Sequence, residues 1–207
     1  IMPLVEITKN KNYNLILWKI EEDLSTLTAL LNPNNTEKEA LEKINHTQRR
    51  KQNIVARIMI NYVSKQKNPL KYLKNGKPYC EKFKNISISH SKDYCVLITS
   101  QKTVGVDIQY KKDNILNLSE KFINKFDPHF INKDTLLANL HFVWCAKEAI
   151  YKTLIQKNCS LHQDIYIENI SSSNGWGNYI KNNVKIRYSI NFNTLDNYFI
   201  AVAQKDD

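Results

Sequence analysis

The stretch Phe142-Val143-Trp144-Cys145-Ala146-Lys147-Glu148-Ala149-Ile150-Tyr151-Lys152 sets one carboxylate and two ammonium groups inside an otherwise apolar, aromatic helix. A carboxylate bracketed by large aromatic side chains is costly to bury unless it is paired, so this cluster calls for a partner or a ligand. Upstream, Gly105-Val106-Asp107-Ile108-Gln109 carries a single acid in a strand-like apolar segment, and Ile86-Ser87-Ile88-Ser89-His90-Ser91 ends a strand in hydroxyls and an imidazole. Two carboxylates converging from different elements offer the hard oxygen ligands that Mg²⁺ prefers, with its remaining positions taken by water and substrate phosphate oxygens. Lys147 and Lys152 would then neutralise phosphate, and Ser89 and His90 would donate hydrogen bonds to it. Each residue also has a plainer reading. Glu148 and Lys152 are four apart and suit a helix salt bridge, Asp107 suits a strand-end turn, His90 suits a structural role, and Arg49-Arg50-Lys51 suits either a solvated helix face or a phosphate clamp.

The elements that must position these groups follow from periodicity and punctuation. A strand is expected at Tyr13 to Ile20 and a helix at Glu21 to Leu31. Thr36 to Glu39 has capping-box spacing and opens a helical stretch to Ser64, broken near His46 to Asn53. A turn at Asn75 to Pro78 precedes three short strands, Ile86 to Ser89, Tyr94 to Ser100 and Val104 to Gln109, which read as an antiparallel meander. Helices at Ile115 to Lys125 and Thr135 to Gln156 then lead to strands at Ile165 to Ile170, Val184 to Ile190 and Tyr198 to Ala203. Strand, helices, strands thus occurs twice, with no residue-level repeat. The expected fold class is α+β: two similar halves, residues 1–103 and 104–207, in a pseudo-twofold relation with the active site at their interface.

Composition narrows the function. The 207 residues carry a formal net charge of +10, which suggests an anionic partner, although dispersed Lys with only four Arg is also what AT-rich coding would produce. Four widely spaced cysteines without a CxxC pair read as reduced core thiols. No basic stretch followed by an apolar core opens the sequence, so a cytoplasmic location without membrane association is expected. Walker loops and GxGxxG are absent, which excludes the standard nucleotide loops. A nucleic-acid module lacks any recognisable reading element.

Taken in order, Gly76-Lys77-Pro78, then Ile86 to Ser91, then Gly105 to Gln109, then Trp144 to Ala149 with Lys152, the motifs resemble the 4′-phosphopantetheinyl transferase superfamily, in particular its monomeric, two-half surfactin-type enzymes. The resemblance implies that a serine of an apo acyl or peptidyl carrier protein, from fatty acid, polyketide or nonribosomal peptide synthesis, attacks the β-phosphorus of coenzyme A. It implies Asp107, Gln109 and Glu148 as ligands of Mg²⁺, Lys152 as the pyrophosphate contact, and Arg49, Lys77, Ser89, His90 and Lys147 as contacts to coenzyme A. Glu148 or Asp127 would act as base. Gln109 departs from the carboxylate that many members place there, and residues 154–161 lack the glycine-containing turn often seen after the last motif. A silent homologue that binds without transfer draws its support from Gln109 alone.

Overall fold

The structure is a computed structural model, described for residues 4–206 other than 10, 68, 128–132, 156–157 and 172, with only the backbone considered at residues 4–7 and 133–134. The chain divides into two compact units, Ile1–Gln101 and Lys102–Asp207. Both are mixtures of helix and antiparallel sheet. The first holds seventeen basic and nine acidic residues and the second thirteen and eleven, so most of the positive excess lies in the first. Among the described residues no helix is long and apolar enough to cross a membrane.

In the first unit, β1 (Leu4–Lys9) and β2 (Tyr13–Lys19) form an antiparallel pair. Three helices follow, α1 (Leu24–Leu31), α2 (Asn35–Glu42) and α3 (Thr47–Ser64), then a small ladder of β3 (Lys71–Tyr72) and β4 (Pro78–Tyr79), then the hairpin β5 (Asn85–Ser91) and β6 (Tyr94–Ser100). The sheet order is β1-β2-β6-β5. Strand alternation puts Ile16, Trp18, Cys95, Leu97 and Ile86 on the face that packs with Leu27, Val55, Met59 and Ile60 of the helices. The capping box is made by Asn34 and Glu37, two residues earlier than the expected Thr36, because Asn34 is the residue in extended backbone with its side chain on the Glu37 amide. The expected break in the long helical stretch falls before His46, whose imidazole caps α3 by accepting from the Arg49 amide at 3.4 Å. Gln48 and Gln52 of α3 both donate to the Lys92 carbonyl, tying the helix to the β5–β6 turn at 2.7 and 2.8 Å.

The second unit opens with β7 (Val104–Tyr110), followed by the short helix α4 (Ile115–Leu118), a 3₁₀ turn over Ser119–Lys121 and the long helix α5 (Lys133–Thr153). It closes with β8 (Ile165–Ile170), β9 (Asn174–Lys181), β10 (Val184–Leu195) and β11 (Tyr198–Lys205). The sheet order is β7-β11-β10-β9-β8. The expected meander is therefore corrected: β5 and β6 pair, but β7 pairs with β11 in the other unit's sheet. Short spacing favours a local partner, yet β7 needs a neighbour that leaves room for a helix, and β11 supplies Ala201 and Ala203 opposite Asp107 and Gly105. Both sheets share one wiring: the strand before the helices pairs with the unit's last strand, which pairs with the one before it, as β2-β6-β5 and β7-β11-β10.

Helix α5 lies on β7 and β11 and buries Val143, Ala146, Ala149 and Ile150 against Ile165, Ile167, Ile190, Ala201 and Ala203. Contact is closest at Gly105, where a Cβ would stand 2.0 Å from the Ala149 carbonyl oxygen and 3.1 Å from Thr153 Cγ2. Only the absence of a side chain lets the helix backbone reach the strand. Gly105→Ala is expected to lower stability by about 1–3 kcal/mol through this overpacking, read as a fall in the thermal midpoint; an unchanged midpoint would show that α5 does not sit this close.

Candidate active site

The alternation of β7 turns Gly105, Asp107 and Gln109 to the side covered by α5, while Val106 and Ile108 face the other way and are buried. Strand and helix run in opposite senses, with Gly105 beside Ala149 and the Lys112 amide, just past β7, beside His141. The helix residues at His141, Cys145, Glu148 and Lys152 form one stripe at spacings of three and four. Asp107, 6% exposed, meets this stripe.

Lys152 Nζ stands 2.7 Å from Asp107 Oδ1 and donates to the Val106 carbonyl at 3.0 Å. The expected i,i+4 pair between Glu148 and Lys152 is thus superseded by a bridge from helix to strand. Glu148 has no hydrogen-bond partner among the described residues and is held by charge. Burial lifts its carboxyl above the usual range, the neighbouring Asp107 carboxylate lifts it further, and the Lys152 and Lys112 ammoniums oppose both. Cys145, one turn earlier, has its thiol pushed well up by burial and then by Asp107. Trp144 is held edge-on to Phe122 at 5.0 Å, and Lys112 Nζ lies 5.8 Å from the Trp144 ring centroid. The result is a partly dry site in which Glu148 feels the Asp107 carboxylate and the Lys152 and Lys112 ammoniums through charge.

Asp127 and Lys147, two further expected site residues, are paired with each other. The Lys147 side chain is fully buried and donates to Asp127 Oδ2 at 2.7 Å, to the Phe122 carbonyl at 2.6 Å and to the Leu161 carbonyl at 3.2 Å. Asp127, equally buried, accepts from the Asn124 and Ile167 amides at 2.8 and 2.9 Å. Burial pulls the Lys147 ammonium down while Asp127 counters it. Every donor of the ammonium is thus spent on the protein, and the carboxylate is enclosed with it. The pair ties α5 to residues 122–127 and to β8. Neighbours on a helix point about 100° apart at 3.6 residues per turn, which is why Lys147 and Glu148 serve different ends.

The expected contacts in the first unit are placed as follows. Ser89 and His90 are adjacent on β5 and so face opposite sides of the sheet, Ser89 buried and His90 exposed. Lys77 is half-buried beside the turn at Gly76, its ammonium pulled down by burial. Of the basic triplet, Arg50 is bound to the Ile44 and Glu42 carbonyls and Lys51 to the Glu22 carbonyl. Arg49 is exposed, and its guanidinium has no hydrogen-bond partner among the described residues. Lys112 and His141 escape sequence reasoning, since one follows a strand without any motif and the other sits on an apolar helix face.

Residues 103–203 match the family model of the 4′-phosphopantetheinyl transferase superfamily. The match spans just under half of the chain and lies wholly within the second unit, taking in Asp107, Gln109, Glu148 and Lys152. No curated protein matches the chain. The superfamily transfers phosphopantetheine from coenzyme A to carrier proteins and typically uses Mg²⁺. Among the described residues no cluster of three or more His, Cys, Asp and Glu side chains is placed to hold a metal ion. The available donors are two carboxylates with one amide, Gln109, on the same strand face as Asp107. They suit a hard divalent cation: all donate oxygen, and a shared cation would offset the burial and, after it, the Asp107 charge that lift Glu148.

Two variants test this layout. Lys147→Met leaves Asp127 buried without its counter-charge and is expected to cost about 3–5 kcal/mol, measured by denaturant unfolding; a loss below 1 kcal/mol on the scale of surface pairs would contradict the strut. Glu148→Gln should behave oppositely. A carboxyl raised in the folded state adds no penalty below its ordinary range and an increasing one as pH rises through the raised value, so at neutral pH and without divalent cation the variant should melt higher than the parent. A lower midpoint would show that Glu148 is not strained.

Proposed function

We propose that the chain is a 4′-phosphopantetheinyl transferase that moves phosphopantetheine from coenzyme A to a serine of an apo acyl or peptidyl carrier protein. The observation that carries this reading is the Asp107, Glu148 and Lys152 constellation, built where β7 meets α5 and contained in the matched span. In this reading Asp107 and Glu148, joined by Gln109 directly or through water, hold a Mg²⁺ ion. When bound, the ion neutralises charge on the pyrophosphate oxygens.

Lys152 fixes the Asp107 carboxylate and presents its ammonium to the pyrophosphate. In this reading Glu148 also helps to deprotonate the incoming serine. The serine oxygen forms a bond to the β-phosphorus, the bond from that phosphorus to the bridging oxygen breaks, and adenosine 3′,5′-bisphosphate leaves with the bond's electron pair. Arg49, Lys77, Ser89 and His90 are proposed contacts to the coenzyme's phosphates and adenosine. Catalysis is then mainly positioning and charge compensation.

The decisive experiment is the intact mass of candidate apo carriers after incubation with the full chain, coenzyme A and Mg²⁺. One carrier should gain a single phosphopantetheinyl group, and Glu148→Gln or Asp107→Asn should slow that gain by about 100-fold or more. Near-parental turnover in Glu148→Gln would remove its role. Salt-sensitive retention on DNA or RNA without any transfer would replace the reading by a nucleic-acid-binding one.

A further inference from the structure

The loop leaving β7 is held by two amides. Lys111 N–H donates to the Asn197 carbonyl at 2.7 Å, and Lys112 N–H donates to His141 Nε2 at 2.8 Å. The other ring nitrogen, Nδ1, lies 2.6 Å from the Leu137 carbonyl oxygen and must carry the proton that bonds it. An imidazole that accepts at Nε2 and donates at Nδ1 is neutral, in one tautomer, with both nitrogens used. Its ring stacks on Phe199 at 4.5 Å and is fully buried. Burial and the charges of Lys112 and Lys111 depress its proton affinity, in keeping with that state.

The residue pinned in this way is Lys112. Its backbone is fixed at both ends, because the carbonyl accepts from the Ile115 amide at 3.3 Å. Its ammonium stands 5.8 Å from the Trp144 ring centroid and acts on Glu148 through charge. The spacing lies within the reach of a cation–π attraction. His141 touches neither Glu148 nor Asp107 through any described bond.

We propose that His141 is a positioning residue: as a neutral imidazole it fixes the loop after β7 and thereby sets Lys112 as the second ammonium of the site, the place that Lys147 does not fill. The consequence for catalysis rests on the transferase reading, whereas the clamp itself does not.

Nuclear magnetic resonance of the unmodified chain tests the clamp. At pH 7 the His141 ring should show a protonated Nδ1 and a bare Nε2, and the Lys112 side-chain methylenes should be shifted upfield by the Trp144 ring. An Nε2–H tautomer or an imidazolium overturns the proposal. His141→Phe keeps an aromatic ring against Phe199 and removes the acceptor. It should abolish the upfield shift and speed exchange of the Lys112 amide by roughly fivefold or more, the equivalent of one hydrogen bond; an unchanged shift overturns the proposal.

Transfer assays give the catalytic arm. His141→Phe and Lys112→Ala should each lower kcat/KM for coenzyme A by about tenfold, and the double variant should be no worse than Lys112→Ala alone, since both remove one interaction. Losses that multiply would show that His141 does not act through Lys112. If His141→Phe does not fold, the ring-nitrogen pattern of the parent protein decides, and an overlay of His141→Gln, whose amide oxygen can accept from Lys112, on the parent shift supports the clamp while loss of that shift counts against it. If the parent chain modifies no carrier, the transferase reading fails and the resonance data still decide the clamp.

Discussion

The second unit depends on the approach of a helix backbone to a strand backbone at one point, Gly105 against Ala149. Without a Cβ at 105 the helix settles onto β7, and the alternation of the strand then sends Asp107 and Gln109 up beside it. From that contact the rest follows by periodicity: Glu148 precedes Ala149 by one residue, Lys152 lies one turn beyond Glu148, and Lys152 reaches back to Asp107. A helix held an ångström or two higher would stretch the 2.7 Å bond from Lys152 to Asp107 and expose Glu148, whose burial is the main cause of its raised carboxyl.

Two buried arrangements keep the helix from sliding or turning on that contact. On one side Lys147 and Asp127 lock α5 to residues 122–127 and β8, with every donor of the ammonium used. On the other, His141 holds the end of β7 by the Lys112 amide. Charged and polar groups inside a protein are costly unless satisfied, so each of these arrangements forms in one geometry or not at all. They fix the helix rotation, and rotation determines which of the neighbours 147 and 148 faces the strand.

Much of this was legible in the sequence. The strand over 104–109 and the helix carrying Trp144 to Lys152 follow from apolar spacing. What was not legible shares one cause: sequence gives residue type and period, not direction or partner. Lys147 and Asp127 look like site residues by type and turn out to be a strut. The meander reading gave β7 its nearest neighbour in sequence, whereas pairing was decided by Ala201 and Ala203. Strand β9 was missed because Asn174, Gly175, Gly177 and Asn178 are turn formers by habit; a Cβ at 177 would meet Ile150, Ile190 and Ile167 at about 3 Å, so small residues are required there beneath the helix.

The bond from Lys152 to Asp107 also has a meaning for the resting protein. The site carries its own counter-ion, an internal placeholder that offsets one of the two acids when nothing else is present. Domains whose ligand residues have no such stand-in unfold when a chelator strips them. Here a bridge within the fold joins the strand to the helix at the paired acid itself, so the position of Asp107 is set by the protein's own ammonium.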